Sequence, residues 1–311
     1  MKMSDTDTLV NNKLFNRIMK KFQKVNELRP LHPDLIEILS QDHRTRHTYH
    51  SNAIEGNTLT LQETKVVIEE GITIGGKSLI EHLEAVNNSH AYELIEEMAK
   101  GRVEINHISI QDLHEVVARG ILLDAGKYRI HNVQITGAVK RPPDFAKIPK
   151  MMDGLFKTIK GGDRNPIDMA AFLHHGFVAI HPFSDGNGRV ARLLTNRFLL
   201  ERGFSPIILR KEDRRKYYAF LRKADSGDLG PFTNFLAKAL EESLLEFLSV
   251  TGGEDELIPL KVLSKYSKYS QEYLSLRARQ GELAATKAGG IWHSTRRALR
   301  EYGDKTVSAN K

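Results

Sequence analysis

The sequence predicts a mostly helical protein with one short extended segment and a small basic domain at its end. Apolar residues recur at helical spacing through most of the 311 residues, 40% of which are hydrophobic. Between residues 130 and 139 the spacing changes, and β-branched residues are followed by Arg-Pro-Pro-Asp. After residue 256 there are eleven Lys or Arg against four Asp or Glu, which equals the net charge of +7 for the whole chain.

The N-terminal part of the chain is predicted to form a series of helices. Residues 13–49 show helical spacing, many charges and no long breaker. Thr60 and Glu63 have the spacing of a capping box, which predicts a helix from there through Glu70. Residues 78–100 and 107–119 show further amphipathic helical spacing. We therefore expect residues 1–110 to form an N-terminal helical region.

Helical spacing resumes after the extended segment. The predicted helices cover residues 145–160, 166–180, 189–202, 212–225 and 230–249. The stretch Thr251-Gly-Gly-Glu-Asp-Glu256 has the composition of a linker. These features predict a helical core over residues 111–250 and a separate C-terminal domain over residues 257–311.

Composition excludes several classes of protein. The chain has no cysteine, so disulfides, thiolate nucleophiles and zinc–thiolate sites are excluded. Its N-terminus lacks the apolar stretch of a signal peptide, and no apolar run approaches the length of a membrane span. We expect a cytoplasmic protein that does not act at a membrane.

The most informative segment is HPFSDGNGRVAR, residues 181–192. The run Gly186-Asn187-Gly188 predicts a turn, and the residues after it predict a helix that continues to Gly203. The turn therefore ends at a helix N-terminus, where free N–H groups and the helix dipole favour an anion.

Charged side chains surround this predicted helix N-terminus. Arg189, Arg192 and Asn196 share one helical face, so two guanidiniums beside the turn predict a polyphosphate site. Asp185 is a candidate ligand for Mg²⁺, and His181 is a candidate general base near neutral pH. The alternative is a solvated loop, but six chemically useful residues at fixed spacing seldom coincide.

Residues 181–192 resemble the Fic signature, HPFx(D/E)GNGRxxR, at every defined position. The resemblance implies a mostly helical enzyme that moves AMP from ATP onto a Ser, Thr or Tyr hydroxyl of a target protein or of itself. It implies His181 as the base, Asp185 as the Mg²⁺ ligand and Phe183 as a buried anchor. It implies that the phosphates are bound by Gly186, Asn187, Gly188, Arg189 and Arg192.

A second segment resembles the inhibitory motif of the Fic family, [S/T]xxxE[G/N], at Ser51, Glu55 and Gly56. A helix C-cap would also explain the glycine. An arginine that binds a γ-phosphate can instead bind a carboxylate bidentately, so Glu55 paired to Arg192 would block the ATP pose. The position of the motif resembles the subgroup whose inhibitory helix comes from its own N-terminal region.

The resemblance also implies a flap and an adenine subsite. The flap would be a β-hairpin that pairs with an extended target segment, and its residues would be Val133, Gln134, Ile135, Thr136 and Gly137. The candidates for contact with adenine are Asn196, Tyr217 and Tyr218. Asp225 stands where related proteins often have Asn.

Two other patterns have structural explanations. Residues 71–78 match the P-loop pattern GxxxxGK[ST], but the residues before them predict the end of a capped helix rather than a buried strand, so we favour a turn between helices. His174 and His175 could join His181 and Asp185 around a metal ion. Adjacent histidines on a helix point about 100° apart, so we favour a packing role.

The C-terminal residues predict a helix, a hairpin and a second helix. The first helix closes at Gly281, the hairpin turns around Gly289-Gly290, and the last helix begins near Ser294. This order resembles a winged helix-turn-helix of the kind often appended to Fic domains. The basic charge favours DNA as a partner, and a protein-docking module is the alternative.

The sequence thus predicts an autoinhibited, Mg²⁺-dependent protein adenylyltransferase that binds ATP and a target protein and could form a homodimer. One alternative is removal of AMP, with Glu55 aligning a water molecule. The other is a DNA-binding regulator whose pocket senses nucleotide. The intact His181 argues against the second alternative, because sensing a nucleotide requires no base.

Overall fold

The computed structural model describes residues 8–29, 33–134, 140–161, 165–250, 253–288 and 290–308. Helices dominate these residues, which confirms the predicted all-α fold class, and the sheet found among them has three short strands. The described residues divide into two compact units. The first unit comprises the described residues within Met1–Leu9 and Asp34–Leu236. The second unit comprises the described residues within Val10–Pro33 and Ala237–Lys311.

The helices of the described residues follow in chain order. They are α1 (Asn12–Glu27), α2 (Pro33–Glu55), α3 (Leu61–Glu70), α4 (Leu79–Lys100), α5 (His107–Ala118), α6 (Ile148–Lys160), α7 (Pro166–Ile180), α8 (Asn187–Glu201), α9 (Arg214–Asp225), α10 (Gly230–Ser249), α11 (Leu260–Leu263), α12 (Gln271–Gln280) and α13 (Arg296–Ser308). The predicted capping box of Thr60 and Glu63 is present at the start of α3. Residues 71–78 lie in the turn between α3 and α4, so the P-loop interpretation is wrong.

The helical pattern over residues 13–49 is divided between α1 and α2, and α2 continues to Glu55. Pro33 begins α2. Proline is tolerated in the first turn of a helix, where its missing N–H would have no partner, but not in the interior. The spacing of apolar residues alone did not reveal this division.

Helix α8 is at the centre of the first unit, where it packs against α4, α5 and α7. Apolar side chains on several of its faces are buried, among them Val190, Leu193, Leu194 and Phe198. Each such side chain contributes about 1.5–3 kcal/mol of transfer free energy. This packing holds α8 in place and with it the N-terminus that the sequence identified as an anion site.

The second unit contains α1, most of α10 and the C-terminal elements. Strands β1 (Ile258–Pro259) and β2 (Thr286–Ala288) both pair antiparallel with β3 (Ile291–Ser294). Leu260, Leu274 and Leu283 belong to its apolar core. The helix–hairpin–helix order agrees with the sequence analysis, and the name winged helix-turn-helix stays a prediction.

Residues 253–256 do not behave as an exposed linker. Asp255 is buried and forms ion pairs with Lys24 of α1 and, at 2.9 Å, with Arg297 of α13. Arg17 of α1 likewise binds Glu241 of α10 through two hydrogen bonds of 2.7 Å. The packing therefore groups α1 with the C-terminal residues. The three predicted segments, 1–110, 111–250 and 257–311, stay predictions of the sequence.

The predicted flap is only partly within the described residues. Val133 and Gln134 lie in a segment that has no strand, whereas Ile135, Thr136 and Gly137 lie outside the described residues. The hairpin therefore stays a prediction. None of the helices in the described ranges is long and apolar enough to span a membrane.

Candidate active site

The loop between α7 and α8 carries the first half of the 181–192 signature. His181 follows the last residue of α7 and adopts φ 52° and ψ 60°, the left-handed conformation. A side chain other than glycine pays about 1–2 kcal/mol for this conformation. Phe183, two residues later, is fully buried and anchors the loop. Backbone strain of this kind persists only where the surrounding contacts enforce it.

Two side chains brace the loop. Asn187 accepts a hydrogen bond from the Phe183 N–H (3.0 Å) and donates one to the Phe183 carbonyl (2.9 Å). His114 stacks on the Phe183 ring with centroids 3.7 Å apart and planes 4° apart. Its Nδ1 accepts from the Gly126 N–H, so the proton is on Nε2, which donates to the Asp185 carbonyl. Burial lowers the pKa of His114 to about 4, so this histidine is neutral at pH 7.

His181 itself is kept neutral. Burial lowers its pKa, and the positive charge of Arg129 acts in the same direction. The Val178 carbonyl, Asp185 and Glu55 oppose that shift without cancelling it. A histidine with a lowered pKa is unprotonated at pH 7 and can accept a proton, which is what a general base requires.

Arg192 is bound by the segment that resembles an inhibitory motif. Its side chain is almost fully buried, and its Nε donates to the Ser51 hydroxyl at 2.8 Å. Its Nη2 donates to the Ser51 carbonyl at 2.9 Å and to Glu55 Oε1 at 2.7 Å. The Glu55–Arg192 ion pair expected from the sequence is therefore present. It joins the end of α2 to α8 across more than 130 residues.

The Glu55 carboxylate lies over the first turn of α8. A Cβ atom at Gly188 would be 2.2 Å from Glu55 Oε1, so only glycine allows this approach. The residue before the helix, Gly186, provides no side-chain cap, and the first N–H groups of a helix have no acceptor within it. Such a position favours an anion. Glu55 thus supplies a negative charge where a phosphate would otherwise fit.

Arg189, like Arg192, is bound to carboxylates. Its buried guanidinium donates to Glu84 Oε1 at 2.9 Å and more weakly to Asp185 Oδ2 at 3.4 Å. The other carboxylate oxygen of Glu84 accepts a hydrogen bond of 2.9 Å from the side-chain amide of Asn57, which lies two residues after Glu55 in the chain. The sequence analysis did not identify Glu84, because no motif surrounds it.

Asp185 is suited to hold a divalent cation. Its side chain is 67% exposed and lies beside Arg189. Mg²⁺ usually takes one or two protein carboxylates and completes its shell with phosphate oxygens and water, so a single exposed carboxylate fits this ion. Within the described ranges, no three His, Asp or Glu side chains are grouped as a complete metal site.

The two histidines of α7 are engaged elsewhere. His174 is fully buried between the Thr195 hydroxyl (3.0 Å) and the Tyr217 hydroxyl (2.9 Å). His175 binds Asp225 at 2.9 Å. These contacts agree with the packing role that the sequence analysis favoured.

The residues proposed to contact adenine have different environments. Both polar atoms of the Asn196 amide bind the main chain of Ile207, at 2.9 and 2.7 Å. Tyr217 is buried, with its hydroxyl on His174. Tyr218 is the one whose hydroxyl reaches the Glu55 carboxylate, at 3.4 Å. Contact of these residues with adenine stays a prediction, and the geometry favours Tyr218 over the other two.

Residues 103–199, which contain α5 to α7, most of α8 and the complete 181–192 signature, match the Fic/DOC family. The solved structure of Fic-1 (residues 134–508) from C. elegans is 31% identical, with a TM-score of 0.69 over 77% of this chain and 72% of that one. The chain belongs to the Fic family.

Other Fic proteins resemble the chain to a similar degree. A protein adenylyltransferase Fic from Nematostella vectensis is 38% identical over 213 residues, which cover 66% of this chain and 49% of the relative. A Fic domain-containing signalling protein from Bacteroides thetaiotaomicron is 29% identical, with a TM-score of 0.71 over 76% of this chain and 98% of that one. The chain spans about half the length of the curated relatives it matches. Residues 51–56, which resemble the inhibitory motif, and residues 257–311 lie outside the family match.

Proposed function

We propose that this Fic protein is an adenylyltransferase that moves AMP from ATP onto a Ser, Thr or Tyr hydroxyl of a target protein or of itself. One observation carries the proposal: a neutral His181 stands at the end of α7, while two buried arginines and a helix N-terminus lie just beyond it. A base beside a phosphate-binding surface suits transfer of a nucleotide to a hydroxyl. The names of the curated relatives support the same reaction.

The reaction follows from the roles of these residues. The hydroxyl oxygen attacks the α-phosphorus of ATP while its proton passes to the ring of His181. The bond between the α-phosphorus and the α–β bridging oxygen breaks, and pyrophosphate leaves with those electrons. The N–H groups at the start of α8, with Arg189 and Arg192, would bind the phosphates and stabilise the charge that develops on them. We propose that Asp185 holds Mg²⁺, which would neutralise phosphate charge when bound.

Glu55 would keep the enzyme inhibited. Its carboxylate takes one N–H donor of Arg192 and stands over Gly188, so a triphosphate and Glu55 would compete for the same donors. A phosphate and the Glu55 carboxylate would repel each other at this position, because both are negatively charged. The alternatives, AMP removal and nucleotide sensing by a DNA-binding regulator, are not favoured by relatives that are named adenylyltransferases.

We also propose that residues 257–311 form a winged helix-turn-helix that binds DNA. The support is an excess of eleven basic over four acidic residues and the helix–hairpin–helix order. A homodimer and a cytoplasmic location are further proposals, which rest on the sequence analysis alone.

The decisive experiment compares the wild-type protein with Glu55→Gly in α-³²P-ATP and MgCl₂, with transfer to the protein itself as the readout. The variant should incorporate at least about tenfold more label, because it frees a charge-assisted contact worth roughly 1.5–3 kcal/mol. The control is Glu55→Gly combined with His181→Ala, in which incorporation should fall at least about a hundredfold. Equal incorporation by the variant with and without His181 would reject His181 as the base. A lower rate for Glu55→Gly alone would favour AMP removal.

A further inference from the structure

Arg129 has an unusual set of partners. Its side chain is only 4% exposed, and its three side-chain hydrogen bonds all go to main-chain carbonyls. The Nε donates to the carbonyl of His181 at 2.8 Å, Nη1 to that of His131 at 2.8 Å and Nη2 to that of Pro143 at 2.7 Å. The main-chain N–H of Arg129 donates to the Pro182 carbonyl at 2.9 Å. One residue thus holds two consecutive carbonyls of the catalytic loop.

The carbonyls that Arg129 holds belong to two functional parts of the chain. His181 directly follows the last residue of α7, at a helix end where carbonyls lack partners within the helix and the helix dipole favours a cation. His131 and Pro143 stand on either side of the segment that includes the predicted flap. A planar guanidinium reaches all three carbonyls together, because its donors point in fixed and different directions.

We propose that Arg129 is a positioning residue, which fixes the catalytic His181 relative to His131 and Pro143. This inference rests on the proposed function. Arg129 touches neither reacting group and acts through main-chain carbonyls. Its hydrogen bond to the His181 carbonyl helps to keep His181 in its left-handed conformation, and that backbone conformation limits the positions that the imidazole can take.

The test uses full-length protein carrying Glu55→Gly, so that inhibition does not obscure the rate. Arg129→Gln and Arg129→Lys are added separately, and self-transfer from α-³²P-ATP gives the rate. The glutamine variant should lose about a hundredfold in rate, which is the scale expected when a catalytic group is misplaced by about 1 Å. The lysine variant should lose less of its rate, because an ammonium can donate to some of the carbonyls but lacks the planar, fixed arrangement of guanidinium donors.

Three readouts separate positioning from a general loss of structure. Calorimetry with ATP and MgCl₂ should show an affinity within about twofold of the parent, since Arg129 is not among the phosphate ligands. Arg197→Gln is the control, because Arg197 is also buried and donates to a main-chain carbonyl, that of Val103, beside its ion pair with Glu201. It should lower the melting temperature but keep the transfer rate. Hydrogen exchange of the amides in residues 183–186 should rise at least about tenfold in Arg129→Gln and not in Arg197→Gln.

The outcomes distinguish this inference from the proposed function. If Glu55→Gly transfers no AMP, the proposed function is wrong, and hydrogen exchange still decides whether Arg129 holds the loop. Unchanged rate and exchange in Arg129→Gln would overturn the inference. Parallel loss of rate and ATP affinity would also overturn it, because Arg129 would then support the whole site rather than position His181.

Discussion

Arg192 illustrates how single side chains in this site depend on one another. Its guanidinium is buried, and its acceptors come from Ser51 and Glu55. A buried charge that loses a partner is destabilising, although Glu55 is about one-third exposed and water can replace part of the interaction. The contact that we propose blocks ATP therefore also stabilises the protein without ATP.

A thermal melt tests this coupling. Glu55→Gly should have a lower melting temperature than the wild type without nucleotide, because Arg192 loses a partner. ATP and MgCl₂ should then raise the melting temperature of the variant more than that of the wild type, since a ligand stabilises by RT ln(1 + [L]/Kd). Equal shifts for the two proteins would mean that Glu55 does not compete with ATP.

The pH dependence of transfer follows from His181. Its pKa is lowered from the ordinary value near 6.5, first by burial, so the neutral base persists below that pH. The rate of the Glu55→Gly protein should be flat between about pH 7 and 8 and should decline only below about 6.5. A rate profile between pH 5 and 8 checks this. A midpoint above 6.5 would contradict the lowered pKa.

Gly188 lies where we propose that a phosphate of ATP binds. An alanine Cβ there would meet the space that Glu55 Oε1 occupies, and it would lie 3.2 Å from Arg192 Nη1. Gly188→Ala in the Glu55→Gly background should therefore weaken ATP binding at least about tenfold, by loss of a charge-assisted contact. Gly154→Ala is the control, because nothing lies within 4 Å of a Cβ there and alanine favours a helix. Calorimetry that finds equal affinities would place the phosphates elsewhere.

Among the helices, the start of α4 binds the residues that follow Glu55. Glu81 accepts hydrogen bonds from the N–H and hydroxyl of Thr58 and from the N–H and hydroxyl of Ser78. The Thr58 and Ser78 hydrogen bonds lower the pKa of Glu81 to about 2. This capping box therefore connects α4 to the segment just beyond Glu55.

We expect Glu81, in the capping box of α4, to make a contribution to the free energy of unfolding that depends on pH. Because the pKa of Glu81 is lower in the folded protein, its contribution is complete above the unfolded value near 4.5 and is lost as the pH falls through about 2. Glu81→Gln should thus lower the free energy of unfolding at pH 7, and the difference from wild type should shrink below about pH 4. Glu63 has the same position in the capping box of α3, so Glu63→Gln tests the same argument at a second helix. Urea unfolding at pH 7 and pH 3 measures both, and a difference that does not depend on pH would contradict the argument.

For the whole chain, the distribution of charge and the packing of helices divide the protein into domains at different places. The net charge of +7 is concentrated after residue 256, which suggests that residues 257–311 could be deleted cleanly. The second unit shows otherwise, because Arg17 of α1 donates to the Gly281 carbonyl at 2.7 Å and that partner would be lost. Substitution of exposed charges is therefore a better test of DNA binding than deletion.

Binding of duplex DNA by the full-length protein should weaken steeply with salt. Replacing the exposed Arg279 and Lys287 by Gln should lower the log–log salt slope by about two, one for each phosphate contact removed. Lys150→Gln, at an exposed position on α6, should leave the slope unchanged. A filter-binding titration measures all three proteins, and absence of binding at low salt would leave residues 257–311 as a protein-docking module.

The sequence by itself determined the local features of this protein. The capping box at Thr60 and the turn at Gly186 each depend on residues only a few positions apart. Such features are set by backbone geometry and short-range hydrogen bonds, which a linear pattern contains. The family signature added the chemical roles of residues 181–192, and resemblance to a second motif pointed to Glu55.

Only the tertiary structure decided which acceptors Arg189 and Arg129 have. Arg189 binds Glu84 of α4, and Arg129 binds carbonyls that lie near it in space but up to 52 residues away in the chain. A buried guanidinium must be satisfied, but any carboxylate or carbonyl that folding brings close can satisfy it. Main-chain carbonyls are present at every position and leave no mark in the sequence. The partners of Arg129 therefore follow from packing rather than from any motif.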